Sequence, residues 1–514
     1  MPTALPFVSM RIRTRACLRG AAAGLATVLL AGTASAAPAN SSNSGAPGVG
    51  DPYYPGDGNG GYDVTHYDIR LTYEPDTDRL AGTTTLLATP TTDLTSFNLD
   101  FALDVESVRV AHRPAEVTRA EDDPTEVVVT PRRPLREGTP VPVVVRYADT
   151  PSAVEVDGRT AWKRTETGAL AVDQPHIAEW WFPSNDHPTD KATFDVSVAV
   201  PDDVSALSNG VLASRTQQRA GWTRWNWRST QPQATYLAFL AVGDYDVRHA
   251  TTSSGLPMTN AYDTGLAAAD RAAAEASVER TPEVVEFLEE SFGPYPFEAQ
   301  GGVVTNGLGF ALENQTRSVY DAGFFRYGSN LSVVVHENAH QWFGDSVAVA
   351  GWDDIWLNEG FATYAEYLWS EHAGEGTAAE LAQYVYDSIP ADDPFWRVTP
   401  GDPGAEHQFH PAVYDRGALA AHALRTAVGD DVFFELLRTW LDERQGGHGS
   451  IEEFAALAER LSGERLDPVF DTWLFTPEKP GSGPNGAASR ATAGVAEPES
   501  YPEIAFTHRQ LARH

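Results

Sequence analysis

Three residues in one short segment have the types and the spacing of a metal-dependent hydrolytic site. His336 and His340 are four residues apart and Glu337 follows the first of them, in the order His-Glu-x-x-His. Residues four apart share one face of a helix, so both imidazoles can reach the same ion. Such ligands suit zinc, and Glu337 beside the ion can take a proton from zinc-bound water and pass it to a leaving amine. The segment therefore predicts a hydrolytic zinc site with Glu337 as its base.

A third metal ligand is predicted at Glu359. Eighteen residues separate it from His340, enough for one helix to end, a loop to turn and a second helix to return. Three protein ligands with one open position make a catalytic zinc site, whereas four make a structural one. Glu366, seven residues further on the same helical face, can accept a hydrogen bond from a ligand histidine. The alternatives are ordinary core histidines, a helix-start acid at Glu359 and a solvated carboxylate at Glu366.

These residues need helices around them, and the second half of the chain has helical patterns. Helices are predicted over 266–277, from 281 onward, and over 331–342, 359–371, 417–428, 431–443 and 451–462, with a strand-like segment at 301–314. Residues 63–250 instead alternate apolar and polar side chains or form β-branched runs. The prediction is an α+β multidomain fold: an all-β, sandwich-like domain at 63–250 and a mainly helical domain at 251–478.

The N-terminus has the pattern of an export signal. Four arginines precede an apolar run at 21–31, and Ala-Ser-Ala at 34–36 predicts cleavage after Ala36. We therefore expect a secreted protein; the alternative is a retained anchor, for which the run is short. Residues 37–62 are predicted to be a flexible leader and residues 479–514 a disordered tail, because both are rich in Gly, Pro and small residues.

Composition excludes several classes of function. The only cysteine, Cys17, lies in the predicted signal, which excludes disulfides, thiol catalysis and thiolate metal sites from the mature chain. The formal net charge of −34 argues against a nucleic-acid partner. After the signal no run of 18 apolar residues occurs, so no stable membrane association is expected.

Two longer motifs give the site a family context. Residues 336–344 read HENAHQWFG and residues 356–362 read WLNEGFA. Their sequence and spacing resemble the aminopeptidase N family of gluzincin zinc metallo-aminopeptidases, and the resemblance covers roughly residues 60–477. It implies a thermolysin-like catalytic domain, one Zn²⁺ per chain and peptide substrates with a free N-terminus.

Further site residues are implied by this resemblance. Residues 310–314, Phe-Ala-Leu-Glu-Asn, align with the family's Gly-Ala-Met-Glu-Asn motif, which implies substrate binding by Ala311 and recognition of the α-amine by Glu313. The segment reads as a strand able to pair with substrate backbone. Phe310 replaces the family's glycine, and its bulk is expected to alter the pocket. A plain core-edge strand with a surface acid is the alternative reading.

Two further roles are carried over from the family. Tyr414, in Tyr-Asp-Arg-Gly where relatives have Tyr-x-Lys-Gly, is implied to stabilise the oxyanion, with Arg416 in place of lysine. Residues 181–188, WFPSNDHP, resemble the family's F-P-C-x-D-x-P signature. Gln174, eight residues before its Phe182, is implied to help bind the amine.

The resemblance also implies a shortened form of the family. Many members continue with a long helical domain over the active site, whereas this sequence ends 37 residues after Pro477. A two-domain form with a more open cleft is expected. The first functional hypothesis is a secreted zinc aminopeptidase; the alternatives are an endopeptidase or another hydrolase on the same zinc site, and a non-catalytic binding scaffold.

Overall fold

The structure is a computed structural model that describes residues 43–121, 123–156, 158–486 and 496–512. The predicted signal peptide, residues 1–36, and the first part of the predicted leader lie outside these ranges. Among the helices that the structure describes, none combines the length and the apolar character that crossing a membrane requires.

The first half of the described chain is built from strands. They are β1 Tyr62–Glu74, β2 Arg79–Pro90, β3 Phe97–Asp100, β4 Val105–Val110, β5 Arg113–Pro114, β6 Glu116–Arg119, β7 Glu126–Thr130, β8 Val141–Asp149, β9 Trp162–Arg164, β10 Ala169–Ala171, β11 Ala192–Pro201, β12 Ser205–Leu207, β13 Val211–Arg219, β14 Trp222–Gln233 and β15 Leu240–Gly243. The largest sheet has the order β13-β14-β11-β1-β2-β8-β4-β5, and smaller sheets have the orders β3-β7-β6 and β12-β15-β10-β9.

Side-chain alternation explains why the three sheets pack together. Along β1, Tyr67, Ile69 and Leu71 are buried while the residues between them are more exposed, as the two-residue period of a strand requires. These side chains share one hydrophobic core with Val127 of β7 and Leu170 of β10. The predicted β-rich first domain is thereby confirmed.

The second half begins with a five-stranded sheet and continues with helices. The sheet strands are β16 Tyr245–Thr251, β17 Pro257–Asp263, β18 Gln300–Thr305, β19 Ala311–Leu312 and β20 Ser318–Asp321, in the order β16-β17-β18-β20-β19. The helices are α1 Ala268–Val278, α2 Thr281–Phe292, α3 Leu331–Ala339, α4 Trp356–Ala373, α5 Ala378–Ser388, α6 Pro411–Val428, α7 Asp430–Glu443, α8 Ile451–Ser462, α9 Asp467–Phe470 and α10 Tyr501–Leu511, and β21 Ala348–Val349 pairs with β22 His448–Gly449. The mainly helical second domain is thus also confirmed, and its first strand already begins at Tyr245.

Two glycines allow the central helices to approach each other closely. A Cβ atom on Gly417 of α6 would lie 3.0 Å from Cα of Gly360 in α4, and one on Gly360 would meet the Trp356 ring at 2.4 Å. The Trp356 indole N–H donates to the carbonyl of Gly417 at 3.0 Å across the same contact. Because Glu359 precedes Gly360 and Tyr414 lies one turn before Gly417, this contact sets the distance between the two functional side chains.

The described part of the predicted flexible leader is ordered by the rest of the molecule, so that prediction is wrong from residue 43 onward. The buried carboxylate of Asp51 accepts hydrogen bonds from the backbone N–H groups of Tyr53, Tyr54 and Trp352, the last at 2.8 Å. The same carboxylate pairs with His187 of the β-rich half at 3.2 Å. A glycine-rich composition predicted disorder, but one buried acid with four partners fixes the segment against both halves.

The predicted disordered tail is wrong for its last part. Residues 501–511 form α10, whose buried Ile504, Thr507 and Leu511 recur at helical spacing. Its first turn contains Pro502 and Glu503, which are favoured helix-start residues. The Gly- and Pro-rich segment before it obscured this short amphipathic pattern.

Candidate active site

The two predicted histidine ligands lie side by side on α3. Asn330 caps this helix, its side-chain oxygen accepting a hydrogen bond from the N–H of Val333 at 3.2 Å. The Nε2 atoms of His336 and His340 are 3.2 Å apart, and both side chains are buried. In α4, Oε2 of Glu359 lies 3.2 Å from Nε2 of His336 and 3.4 Å from Nε2 of His340. The structure therefore brings the three predicted ligand atoms together.

The spacing of this triangle fits zinc. In a tetrahedral site with Zn–N bonds near 2.05 Å, neighbouring ligand atoms are separated by about 3.3 Å. The three measured separations of 3.2, 3.2 and 3.4 Å match that edge length. The site thus supplies two imidazoles and one carboxylate for the metal, with a fourth position free of protein ligands among the described residues.

The other ring nitrogen of each histidine is held by a hydrogen-bond acceptor. Nδ1–H of His336 donates to Oε1 of Glu366 at 2.9 Å, and Nδ1–H of His340 donates to the carbonyl of Phe343 at 3.0 Å. These bonds fix the tautomer that leaves Nε2 free for the metal. The predicted hydrogen bond between Glu366 and a candidate ligand histidine is present, and the hydroxyl of Ser332 donates to the second oxygen of Glu366.

A residue that the sequence analysis missed completes this arrangement. His508 of α10 is buried, and its Nε2 lies 2.9 Å from the Glu366 oxygen that also contacts His336. Its Nδ1 lies 2.7 Å from Oδ1 of Asp415. No local pattern around His508 predicts this role, because its partners lie more than ninety residues away in the sequence.

Electrostatics distinguish the metal ligand from the base. Burial alone raises the pKa of Glu359, but the facing His340 and His336 lower it to about 2, so this carboxylate is ionised. Burial raises the pKa of Glu337 to about 8, with the two histidines opposing that rise. Oε1 of Glu337 has no hydrogen-bond partner within the described part of the chain. A buried carboxyl group with a high proton affinity and an unoccupied oxygen is suited to proton transfer.

The Tyr414 side chain faces the same metal position. Its ring stacks on that of His336 with centroids 5.9 Å apart, and the side chain lines the cavity at the metal ligands. Burial raises the pKa of its hydroxyl well above the usual value, so the group stays protonated. The hydroxyl has no hydrogen-bond partner among the residues that the structure describes, which leaves it able to donate to a substrate oxygen.

The predicted amine-binding residues meet at the other end of the cavity. Glu313 is buried, and the side-chain amide of Gln174 donates to its Oε1 at 3.3 Å. The hydroxyl of Tyr236, which the sequence analysis did not single out, donates to the same oxygen at 3.4 Å. The carbonyl of Glu313 accepts a hydrogen bond from the side chain of Gln341 at 2.9 Å, which ties this segment to the end of the zinc helix.

Ala311 begins the edge strand β19 and Phe310 directly precedes it, with a different orientation. Ala311 pairs with Tyr320 of β20 on one side and lines the cavity. Phe310 is buried in the core of the β-rich half, with Nζ of Lys163 4.3 Å from its ring centroid. The expectation that Phe310 adds bulk to the pocket is therefore wrong, since its side chain is absent from the residues that line the cavity at the metal ligands.

Arg416 anchors α6 and does not face the cavity. Its guanidinium donates to the carbonyls of Trp473 at 2.8 Å and Trp396 at 2.7 Å. The cation thus ties the helix that carries Tyr414 to the loops behind it.

The cavity at the metal ligands is narrow. Its volume of about 10 Å³ is close to the minimum for one water, and Phe409 and Leu511 form part of its wall. Gln174 lies in this wall and also in that of a neighbouring cavity of about 550 Å³, whose walls carry Asp57, Asp173 and Glu179. The expected open cleft is therefore not found at the metal triangle, because Leu511 of α10 covers one side.

Comparisons with known proteins agree with this geometry. Residues 64–237 match the Peptidase M1 N-terminal domain and residues 277–473 match the Peptidase family M1 domain. Rat glutamyl aminopeptidase is 28% identical over 332 residues, which cover 60% of this chain and 34% of the relative. Rice aminopeptidase M1-D is 27% identical over 422 residues, covering 75% of this chain and 46% of the relative. The chain spans about a third of the length of the first of these relatives.

Solved structures match over more of their length. A mutant M1 zinc metallopeptidase from Deinococcus radiodurans superposes with a TM-score of 0.74 at 31% identity, covering 88% of this chain and 100% of that one. The same enzyme bound to a Tyr-Ser-Ala substrate gives a TM-score of 0.75 at 31% identity, covering 84% and 99%. Both domain matches, the shared fold and the ligand triangle lead to one conclusion: the chain belongs to peptidase family M1.

Proposed function

We propose that this protein is a zinc-dependent aminopeptidase that removes the first residue from peptides with a free N-terminus. The observation that carries the proposal is the closeness of the amine-binding acid to the metal site. One oxygen of Glu313, one of Glu337 and one ring nitrogen of His340 all lie within 4.8 Å of one another. In a peptide, the α-nitrogen and the first carbonyl carbon are about 2.5 Å apart. An ammonium held by Glu313 therefore leaves only the first peptide bond within reach of Glu337.

Recognition of the N-terminus follows from the charges at Glu313. Burial raises the pKa of this carboxyl group, and a substrate ammonium supplies the cation that favours its ionised form. The amide N–H of Gln174 already donates to Glu313, so its oxygen remains to accept a hydrogen bond from the ammonium. A peptide with an acetylated amine offers no positive charge and only one N–H donor.

The catalytic roles of the other residues follow from their positions. When bound, zinc supplies Lewis acidity, lowering the pKa of a coordinated water and polarising the scissile carbonyl. The free oxygen of Glu337 accepts a proton from the attacking water and returns it to the leaving nitrogen. The hydroxyl of Tyr414 donates a hydrogen bond to the carbonyl oxygen as negative charge develops there. Because the cavity is narrow, we expect Gln174 or α10 to shift when a peptide enters.

The test compares matched peptides with free and N-acetylated termini. We expect cleavage after the first residue of the free peptide, and rates at least 100-fold lower for the acetylated one. A Glu337→Gln variant should retain zinc and lose activity, because it keeps the shape of the side chain without the base. Equal cleavage of both peptides, or cleavage at internal bonds, would instead establish the endopeptidase alternative.

We also propose that the protein is exported. The arginine-rich segment, the apolar run at 21–31 and the Ala-Ser-Ala sequence at 34–36 support this proposal. N-terminal sequencing of protein recovered from the culture medium of an expressing bacterium tests it. The proposal predicts a mature chain that begins at Ala37; recovery of the uncleaved chain in the cell fraction alone contradicts it.

A further inference from the structure

The C-terminal helix α10 contacts the zinc-binding helix at its first turn. The carboxylate of Glu503 accepts hydrogen bonds from the backbone N–H groups of Leu331 and Ser332 at 2.8 and 2.9 Å. These are first-turn donors of α3, which have no partner inside their own helix. The side chain of Asn330, the cap of α3, also donates to Thr507 at 3.0 Å. Helix α10 thus completes the start of the helix that carries both histidine ligands.

The second contact reaches a ligand histidine through one carboxylate. Asp415, His508, Glu366 and His336 form a continuous chain of hydrogen bonds of 2.7, 2.9 and 2.9 Å. All three distances are those of charge-assisted hydrogen bonds, so the four side chains form one continuous hydrogen-bonded chain. Its last member, His336, is the residue whose Nε2 faces the metal position.

The charges of these side chains determine which groups of the hydrogen-bonded series donate and which accept. Burial alone lowers the pKa of His508, but Glu366 and Asp415 raise it to about 10, so the imidazole is a cation with two N–H donors. The buried carboxylate of Glu366 lies between His508 and His336, 2.9 Å from a ring nitrogen of each, so its position depends on the hydrogen bond from His508.

We propose that α10 is an integral part of the zinc site and that His508 is a positioning residue, which holds Glu366 in the place where it orients His336 toward the metal. The proposal rests on the zinc site of the proposed function but not on the reaction. It differs from simple packing of the tail, because packing by Ile504 and Leu511 would not depend on the charge of His508.

The test measures metal binding in the full-length protein. A His508→Gln variant keeps one side-chain N–H donor but loses the cation, and Arg509→Gln removes a cation from the exposed face of the same helix as the matched control. Zinc dissociation constants are obtained by competition with a chromophoric chelator, without substrate. Loss of a hydrogen-bond partner behind a metal ligand typically weakens metal binding 10–100-fold. We expect about 10-fold weaker binding in His508→Gln and less than 2-fold change in Arg509→Gln.

A spectroscopic measurement separates orientation from general destabilisation. Cobalt(II) replaces zinc, and its visible absorption reports ligand geometry. His508→Gln should shift or broaden these bands while the control leaves them unchanged. Zinc affinity within 2-fold of the unaltered protein together with an unchanged cobalt spectrum would overturn the proposal.

A second variant keeps the proposal testable if His508→Gln does not fold. Asp415→Asn leaves α10 and His508 in place but removes one of the two carboxylates that hold the imidazole charged. We expect it to weaken zinc binding about 3-fold, and unchanged affinity would then refute the proposal. A protein that binds zinc in a His508-dependent way but cleaves no peptide would contradict the proposed function and leave this inference standing.

Discussion

Replacing Tyr414 by phenylalanine isolates one hydroxyl group at the reaction centre. The phenylalanine ring can keep the stacking contact with His336, whose centroid lies 5.9 Å from that of Tyr414. The hydroxyl has no hydrogen-bond partner in the described part of the molecule, so its removal breaks no bond of the substrate-free protein. Any effect on catalysis must therefore come from a bond that forms with the substrate.

The size of the effect follows from when that bond forms. Loss of one oxyanion donor typically costs 10²- to 10³-fold in kcat, or about 2.7–4 kcal/mol. KM should change less than 3-fold, because the charge on the oxygen develops only in the transition state. Stability should not fall, because the removed hydroxyl makes no hydrogen bond within the described part of the molecule.

A second tyrosine provides the matched control. The hydroxyl of Tyr364 is buried and hydrogen-bonded to Nδ1 of His422 at 2.9 Å, behind the site. Tyr364→Phe should lower the free energy of unfolding by about 1 kcal/mol and leave kcat unchanged. The assay is steady-state hydrolysis of an aminoacyl fluorogenic substrate, with zinc content and a urea unfolding curve measured for each variant. A Tyr414→Phe variant that retains more than a third of kcat would refute the oxyanion role.

Three further predictions address the amine site, the metal and the ordered leader. Glu313→Gln should lower kcat/KM for free peptides about 10- to 100-fold and reduce discrimination against acetylated ones, because a charge-assisted hydrogen bond contributes about 1.5–3 kcal/mol; unchanged discrimination argues against the assignment. Removing zinc with a chelator should abolish activity and lower Tm, since a ligand at 100 times its dissociation constant stabilises by about 2.7 kcal/mol; an apo protein with unchanged Tm contradicts this. Burial raises the pKa of Asp51, but His187 and the N–H groups of Trp352, Tyr54 and Tyr53 lower it overall. The stabilisation of the folded protein by the ionised Asp51 should therefore be full at neutral pH and be lost as pH falls below the usual aspartate range. Asp51→Asn should have a lower free energy of unfolding at pH 7. In urea unfolding measured at several pH values, this variant should also lack the part of the stability that is lost in acid.

The ligand set was predictable because its information is local. The His336–His340 spacing specifies one helix face, and the Glu359 motif specifies the start of the returning helix. The structure adds only that the three ligand atoms, one from each of His336, His340 and Glu359, lie at the separations expected for a tetrahedral site. Glu366 was predictable for the same reason, since it lies on the face of α4 that carries Glu359.

The parts that were missed depend on distant contacts. His508 and Glu366 are 142 residues apart, and Tyr236 and Glu313 are 77 apart, so no spacing in the sequence relates them. The inward or outward direction of Phe310 depends on the packing of β19 against the other half of the chain. The leader around Asp51 was missed because composition describes the average behaviour of a segment and not the effect of one buried acid.

The contact between Glu503 and the first turn of α3 also sets an order of events during biosynthesis. The zinc helix is synthesised about 170 residues before the carboxylate that satisfies its first turn. Contacts over such long sequence separations form late, because the intervening chain must first be synthesised and collapsed. The peptidase should therefore acquire its tightest metal affinity only when α10 has docked, and a nascent chain or one truncated before α10 should remain a weak zinc binder. In a protein that we propose to be exported, late assembly would keep proteolytic activity low while the chain is still inside the cell.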